Sequence, residues 1–247
     1  MLLRERLARA YFNSVYNPLY DATTARLTKY AEAHETLVQS LNVAPGLRIL
    51  CAGLGTGNEL TRLRAQEPLL YLVGIDLSRT ALQSAGLKSV EHARTTSLAL
   101  MDAECLAFDA EKFDRVLCYH VLDFVSTPEL VVSELLRVLK AGGRFVISFP
   151  AGAEGAGLGA SLLSHSLHPS TQRPGHRAAR FVRTILTGLV YLPLTLRHRP
   201  TIYTPDKLET LLRSHGAVDV AIASDPVYRD HIASGVKKKK GDIADAT

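Results

Sequence analysis

The chain has 247 residues, 47% of them hydrophobic and 21% charged. That composition suits one large globular domain with additions, and it excludes collagen-like, coiled-coil and intrinsically disordered chains. Cys51, Cys105 and Cys118 form no CxxC pair, so neither a disulfide framework nor a zinc knuckle is indicated and a reducing compartment fits. The first residues lack the apolar core of a signal peptide, and no run reaches the roughly 20 apolar residues of a membrane span, so a cytoplasmic protein is expected. The net charge of +5 is local: Arg173, Arg177, Arg180, Arg183, Arg197, Arg199 and Lys237 to Lys240 supply ten positive charges, leaving 19 basic residues against 24 acidic ones elsewhere.

In chain order, residues 1–42 read as a helical cap. Leu3, Leu7, Ala10 and Tyr11 recur at helical spacing, a second amphipathic stretch runs from Ala22 to Leu41, and a break at Tyr16-Asn-Pro-Leu-Tyr20 separates them. From residue 43 to 150, short apolar runs alternate with helix-like segments, placing strands near 47–52, 70–75, 96–101, 114–119 and 143–149. Such alternation predicts a doubly wound, mostly parallel α/β sheet, with ligands outside the carboxyl ends of its strands. Residues 130–139 form the clearest helix, with Gly142-Gly143 read as its stop.

Residues 151–203 read as an insertion after the fifth strand, and they include an apolar stretch, 181–194, among arginines. Order returns at Thr204-Pro205-Asp206, a cap for a helix over 207–214. A strand at 217–223 follows, and after the Asp225-Pro226 turn, residues 227–236 return as its antiparallel partner. From Lys237 a basic, solvated tail is expected.

The strongest local signal is ILCAGLGTG at 49–57, a strand entering a glycine loop. Gly53, Gly55 and Gly57 let backbone turn tightly and meet a ligand without Cβ obstruction. The third glycine comes one residue too early for GxGxxG, which argues against pyrophosphate binding. Asp76 closes the second strand, where a carboxylate can accept both hydroxyls of a ribose, and Asp102 ends the third, where it can face an adenine amino group.

With these residues the chain resembles the class I S-adenosylmethionine (SAM) dependent methyltransferases of the ubiquinone/menaquinone-methyltransferase-like group. The matching segments are ILCAGLGTG (49–57), GIDLS (74–78), MDAECLAFDAEKFDRVLCYHVLDFV (101–125) and LLRVLKAGGRFVIS (135–148). The resemblance implies a Rossmann-like seven-stranded sheet with a reversed last strand. It implies SAM as cofactor and S-adenosylhomocysteine as product, with Gly53, Gly55 and Gly57 against the methionine and ribose part. By the same token Asp76 would meet the ribose hydroxyls, Leu77 would flank the adenine, Asp102 and Ala103 would meet its edge, and Tyr119 would enter the pocket. Tyr16 and Tyr20 correspond to tyrosines near the carboxylate end of the cofactor. Cys51 departs from the family, which has an acid there to hold the SAM amino group; a water or Asp123 is the candidate replacement.

Methyl transfer is an in-line displacement in which positioning does most of the work, and a base is needed only where the acceptor carries a proton. His120, just after the fourth strand, is the candidate base with Asp123 as its orienter; His165 and His168 in the insertion are weaker candidates. No metal site shows ligand spacing on one element. The Arg-flanked insertion suits a hydrophobic small-molecule acceptor, quinone- or polyketide-like and methylated on oxygen or carbon, with peripheral membrane contact through 177–199. A nucleic-acid partner is disfavoured, because Cys118-Tyr-His-Val stands where amino methylases resemble NPPY. A nicotinamide oxidoreductase fits the loop spacing poorly, and an atypical or non-catalytic SAM-binding protein is compatible with the departure at Cys51.

Overall fold

A computed structural model describes residues 11, 17, 21, 28–151, 202–225 and 230–239. The insertion, with His165 and His168, lies outside these residues, as do Tyr16 and Tyr20. Among the described residues the elements are helix α1 (Thr28–Gln39), β1 (Arg48–Ala52), α2 (Asn58–Gln66), β2 (Tyr71–Asp76), α3 (Arg79–Lys88), β3 (Thr96–Leu100) and β4 (Phe113–Cys118). Helix α4 (Pro128–Val138), β5 (Leu139–Phe149), α5 (Pro205–Ser214), β6 (Ala217–Ser224) and β7 (His231–Lys237) complete them.

The seven strands form one sheet in the order β3-β2-β1-β4-β5-β7-β6. Strands β1 to β5 pair in parallel, while β7 runs antiparallel to both β5 and β6. This is the expected doubly wound sheet with a reversed last strand. The order reverses at β1, whose neighbours are β2 on one side and β4 on the other. A ligand site therefore falls at the carboxyl ends of β1, β2 and β4.

Alternation along each strand divides the apolar residues between two layers. Leu50, Val116, Phe145 and Ile147 belong to one core with Val131, Val132 and Leu135 of α4. Ile49, Cys51, Leu117 and Val146 belong to the other with Leu37, Val38 and Leu41 at the end of α1, and with Leu60 and Leu63 of α2. Because residues 49–52 of β1 and 116–118 of β4 are buried on both faces, they read as continuous apolar runs.

Local chemistry sets the helix starts. The Ser78 hydroxyl accepts from the Ala81 N–H to cap α3, and the Thr204 hydroxyl accepts from the Lys207 N–H to cap α5, with Pro205 in its first turn. Arg64 of α2 ties the lower end of β2 to β3, its guanidinium donating to the carbonyls of Pro68, Leu70 and Thr95 at 2.8, 2.6 and 3.0 Å.

Two expectations need correcting. Helix α4 is not stopped by Gly142-Gly143: it ends at Val138, and buried Leu139 is already extended and paired with Phe113. The glycines instead absorb a register shift, since Arg115 pairs with Arg144 and β5 carries extra residues between the two pairings. Gly142 adopts φ +76, and a Cβ on Gly143 would lie 2.8 Å from the Lys140 carbonyl oxygen. Nor does the solvated tail start at Lys237. That residue ends β7, and its ammonium donates to the Leu139 carbonyl at 2.7 Å.

Candidate active site

The glycine loop leaves β1 at Ala52 and enters α2 at Asn58. Its glycines are all left-handed, with φ of +65, +57 and +83 at Gly53, Gly55 and Gly57. They differ in what surrounds them. A Cβ on Gly53 would lie 2.0 Å from a Val121 methyl and one on Gly57 2.8 Å from the Ala85 Cβ, whereas one on Gly55 meets nothing within 4 Å. Gly53 and Gly57 are thus packing positions, and Gly55 faces open space.

This separates two predicted outcomes. Gly53→Ala is expected to lower the melting temperature, combining a left-handed cost of about 1–2 kcal/mol with the Val121 clash. Gly55→Ala is expected to carry only the backbone cost while weakening cofactor binding measured by calorimetry.

The second strand end is joined to the loop. The Asp76 carboxylate accepts from the Gly55 N–H at 2.8 Å through one oxygen and from the Ser78 N–H at 2.7 Å through the other. Burial pushes its pKa up, against the lowering effect of these backbone donors. Each oxygen retains a further acceptor site, the requirement for two neighbouring hydroxyls. Asn17 reaches the same strand end, donating to the Ser78 hydroxyl at 2.8 Å, while the Asp21 carboxylate accepts from the Thr56 hydroxyl at 2.7 Å. Those two residues follow Tyr16 and Tyr20 in the chain. Beyond β3, Asp102 accepts from the Glu104 N–H at 2.9 Å and Ala103 is buried. Leu77 is 45% exposed.

Tyr119 lines a narrow, partly open pocket of about 10 Å³ together with Cys51, Ala52, Gly53, Leu54, Glu59 and Leu117. Its hydroxyl donates to Asp225, and its ring packs against the rings of His34 and His120 at centroid distances of 4.8 and 3.9 Å. Cys51 is a buried small residue whose thiol burial pushes well above its ordinary range.

His120 occupies the turn after β4 with φ +53, uncommon for a residue with a side chain, and its N–H donates to the Ser148 hydroxyl of β5 at 2.6 Å. Its Nδ1 lies 3.2 Å from an Asp230 oxygen and 4.0 Å from Asp123, and its Nε2 lies 3.9 Å from Asp225. Burial lowers the imidazole pKa, but Asp230, Asp225 and Asp123 outweigh it, so the net shift is upward from 6.5. The nearest carboxylate is therefore Asp230, not the expected Asp123. Asp123 lies beside His120, whereas the carboxylate lining the pocket with Cys51 is Glu59.

Linear spacing hid Asp225 and Asp230, which lie more than 100 residues beyond His120 and meet it only because β7 pairs with β5. Their one signal was Asp225-Pro226, read as a turn. Tertiary folding also brings ligand atoms of His120, Asp123 and Asp230 within 4.8 Å of one another.

A glycine loop after the first strand, an acid at the end of the second and a histidine among carboxylates at the end of the fourth, on this topology, suit an α/β enzyme with a nucleoside-bearing cofactor. The family profile described as a methyltransferase domain matches residues 50–147. The ubiquinone biosynthesis O-methyltransferase of Alkalilimnicola ehrlichii is 32% identical over 74% of this chain and 77% of its own length. That of Nitrosococcus oceani is 31% identical over 79% and 86%. In fold the chain is similar to magnesium protoporphyrin IX methyltransferase from Synechocystis PCC 6803 with bound S-adenosylhomocysteine (TM-score 0.63, 18% identity, 95% and 99% covered). It is likewise similar to the [4+2]-cyclase SpnF (TM-score 0.59, 18% identity, 85% and 82% covered).

The chain belongs to the class I SAM-dependent methyltransferases. It is an enzyme of that family, with SAM as cofactor and S-adenosylhomocysteine as product. The residues fit the cofactor: the open face of Gly55 and the two-oxygen cradle of Asp76 suit an adenosyl group lying across the loop. No helix among the described residues is long and apolar enough to cross a membrane.

Proposed function

We propose that the protein methylates a hydroxyl group on a hydrophobic small molecule, a phenol or quinol of the quinone-like class, with His120 as general base. The observation that carries this reading is the His120 cluster beside the pocket at the carboxyl end of β4. A displacement at carbon of a sulfonium methyl requires no base unless the acceptor bears a proton, and an O–H acceptor does. Paired at Nδ1 with Asp230, the imidazole is fixed in orientation and exchanges its other proton at Nε2. Asp230, Asp225 and Asp123 stabilise the imidazolium that forms when His120 takes the acceptor proton.

SAM, when bound, supplies the electrophilic methyl group. Gly53, Gly55 and Gly57 shape the floor beneath it, Asp76 orients its ribose, Leu77, Asp102 and Ala103 surround its adenine, and Tyr119 closes the pocket beside the base. Tyr16 and Tyr20 serve the carboxylate end. The relatives named for ubiquinone biosynthesis support an aromatic hydroxyl as acceptor, and the composition of 177–199 supports a lipophilic one taken up at a membrane surface. The site works without a metal, because the carboxylates around His120 serve its charge; dialysis against a chelator is expected to leave the rate unchanged.

The test is incubation with methyl-labelled SAM and a panel of alkylated catechols, their unsubstituted parents, and transfer RNA. Label in an O-methyl ether of the alkylated catechols supports the proposal. Label in the nucleic acid alone, or on carbon, refutes it.

A further inference from the structure

The departure at Cys51 leaves the β1 end without the family's acid, yet the pocket there is not without a carboxylate. Glu59 lies in the first turn of α2, six residues after the loop begins at Gly53, and it lines the same pocket as Cys51, Ala52, Gly53 and Tyr119. It is held there: its Oε1 lies 3.2 Å from Nδ1 of His34, a side chain with no solvent exposure, and His34 in turn packs edge-on against Tyr119.

We infer that Glu59 is the anion that binds the ammonium group of the cofactor's amino acid moiety, supplied from α2 in place of the acid absent from β1. This rests on the assignment of SAM to the site. Three observations converge on it. Glu59 sits at a helix N-terminus, where a carboxylate remains ionised. Burial works against its charge, but the hydrogen bond and charge of His34 bring its pKa below the ordinary value. Its negative charge also reaches the places the cofactor must join, since after burial itself Glu59 contributes to raising both Cys51 and Asp76. A cofactor bearing a cation relieves that accumulation of negative charge. Cys51 completes the exchange: an acid there would face Glu59 across the same small pocket, and like charges at that range oppose each other, so a neutral residue is the compatible partner.

The experiment is calorimetry with two ligands, S-adenosylhomocysteine and its deaminated thiobutyrate analogue, which differ only in the ammonium group. The unaltered protein is expected to prefer S-adenosylhomocysteine by about 30-fold or more, the usual cost of removing one member of a buried charge pair. In Glu59→Gln the preference falls to near one while the affinity for the deaminated analogue is unchanged. A purely structural role for the His34–Glu59 pair would instead weaken both ligands alike, and that result, or an undiminished preference, overturns the assignment. If Glu59→Gln shows no cooperative melting transition, the same ratio is read on Glu59→Asp, which withdraws the charge by one methylene; a several-fold smaller preference is expected, and an unchanged one overturns the assignment. Binding of neither ligand to the unaltered protein is a different failure, which removes the cofactor assignment and this inference with it.

Discussion

Replacing Asp76 with alanine is expected to weaken binding of both SAM and S-adenosylhomocysteine by roughly 100-fold or more while leaving the sheet intact. A hydrogen bond to a charged group is worth about 1.5–3 kcal/mol, and two hydroxyls on one carboxylate exceed the roughly 1.4 kcal/mol that corresponds to each factor of ten. The same substitution removes the acceptor that anchors the Gly55 N–H, so part of the loss is loop order. Asp76→Asn separates the two effects. It keeps an oxygen for one N–H but places an NH₂ group where the other acceptor stood, and it is expected to lose nearly as much affinity.

Burial raises the Asp76 pKa, so its charge opposes folding while its two backbone hydrogen bonds favour it. A carboxyl raised in the folded state favours folding when protonated, and that contribution fades as pH rises through the folded pKa. Asp76→Asn, which removes the charge and keeps an oxygen for one of the two N–H donors, is therefore expected to melt close to the parent at pH 7, whereas Asp76→Ala, which strands the Gly55 and Ser78 N–H groups, is expected to melt lower. Calorimetric titration beside a thermal melt reads both quantities. Unchanged affinity in Asp76→Ala would place the cofactor elsewhere.

The second large effect is expected at His120. His120→Asn, a residue that tolerates the left-handed backbone there, is expected to lower kcat by about 10²–10⁴-fold, the usual contribution of a positioned general base, with little change in cofactor affinity. The base must be neutral to accept a proton. Because its carboxylate neighbours raise its pKa above 6.5, activity should climb with pH through a value above that figure. Asp230→Asn removes the largest raising influence. The acidic limb of the rate profile should then move to lower pH even as the rate at its plateau falls, since the imidazolium is less well stabilised. Asp123→Asn, with its oxygen at 4.0 Å instead of 3.2 Å, should move the limb less.

The stability sign runs the opposite way from that of a paired carboxylate. A histidine whose folded pKa is raised lends stability that is complete below its unfolded value, and that stability is lost as pH rises through the folded one. A pH series of melting temperatures on the parent and on His120→Asn should therefore diverge most on the acid side. A rate profile unaffected by Asp230→Asn would exclude His120 as the base.

The glycine loop, Asp76, Asp102 and Tyr119 were legible because each stands at the end of an apolar run, and a run buried on both faces can be read without knowing its neighbours. The doubly wound, mostly parallel sheet followed from the same alternation, since parallel strands joined by helices have few ways to pack. Even the anomaly at Cys51 was visible as a small apolar residue where the family carries an acid. These features are local, set by backbone freedom at glycine and by side-chain period.

What only the tertiary structure decided is which charges meet. Glu59 reads as one more polar residue on a helix until α2 and α1 close on the pocket and His34 pairs with it. Asp225 reads as a turn residue and Asp230 as part of a returning strand until β7 pairs with β5 and carries them to His120. Gly142-Gly143 read as a helix stop until the register of β4 against β5 made them a bulge. Electrostatic partnership depends on distance in space, and the sheet joins segments more than 100 residues apart. The sequence by itself thus determined the fold and the cofactor it serves, and folding determined which charges stand together at the carboxyl ends of β1 and β4.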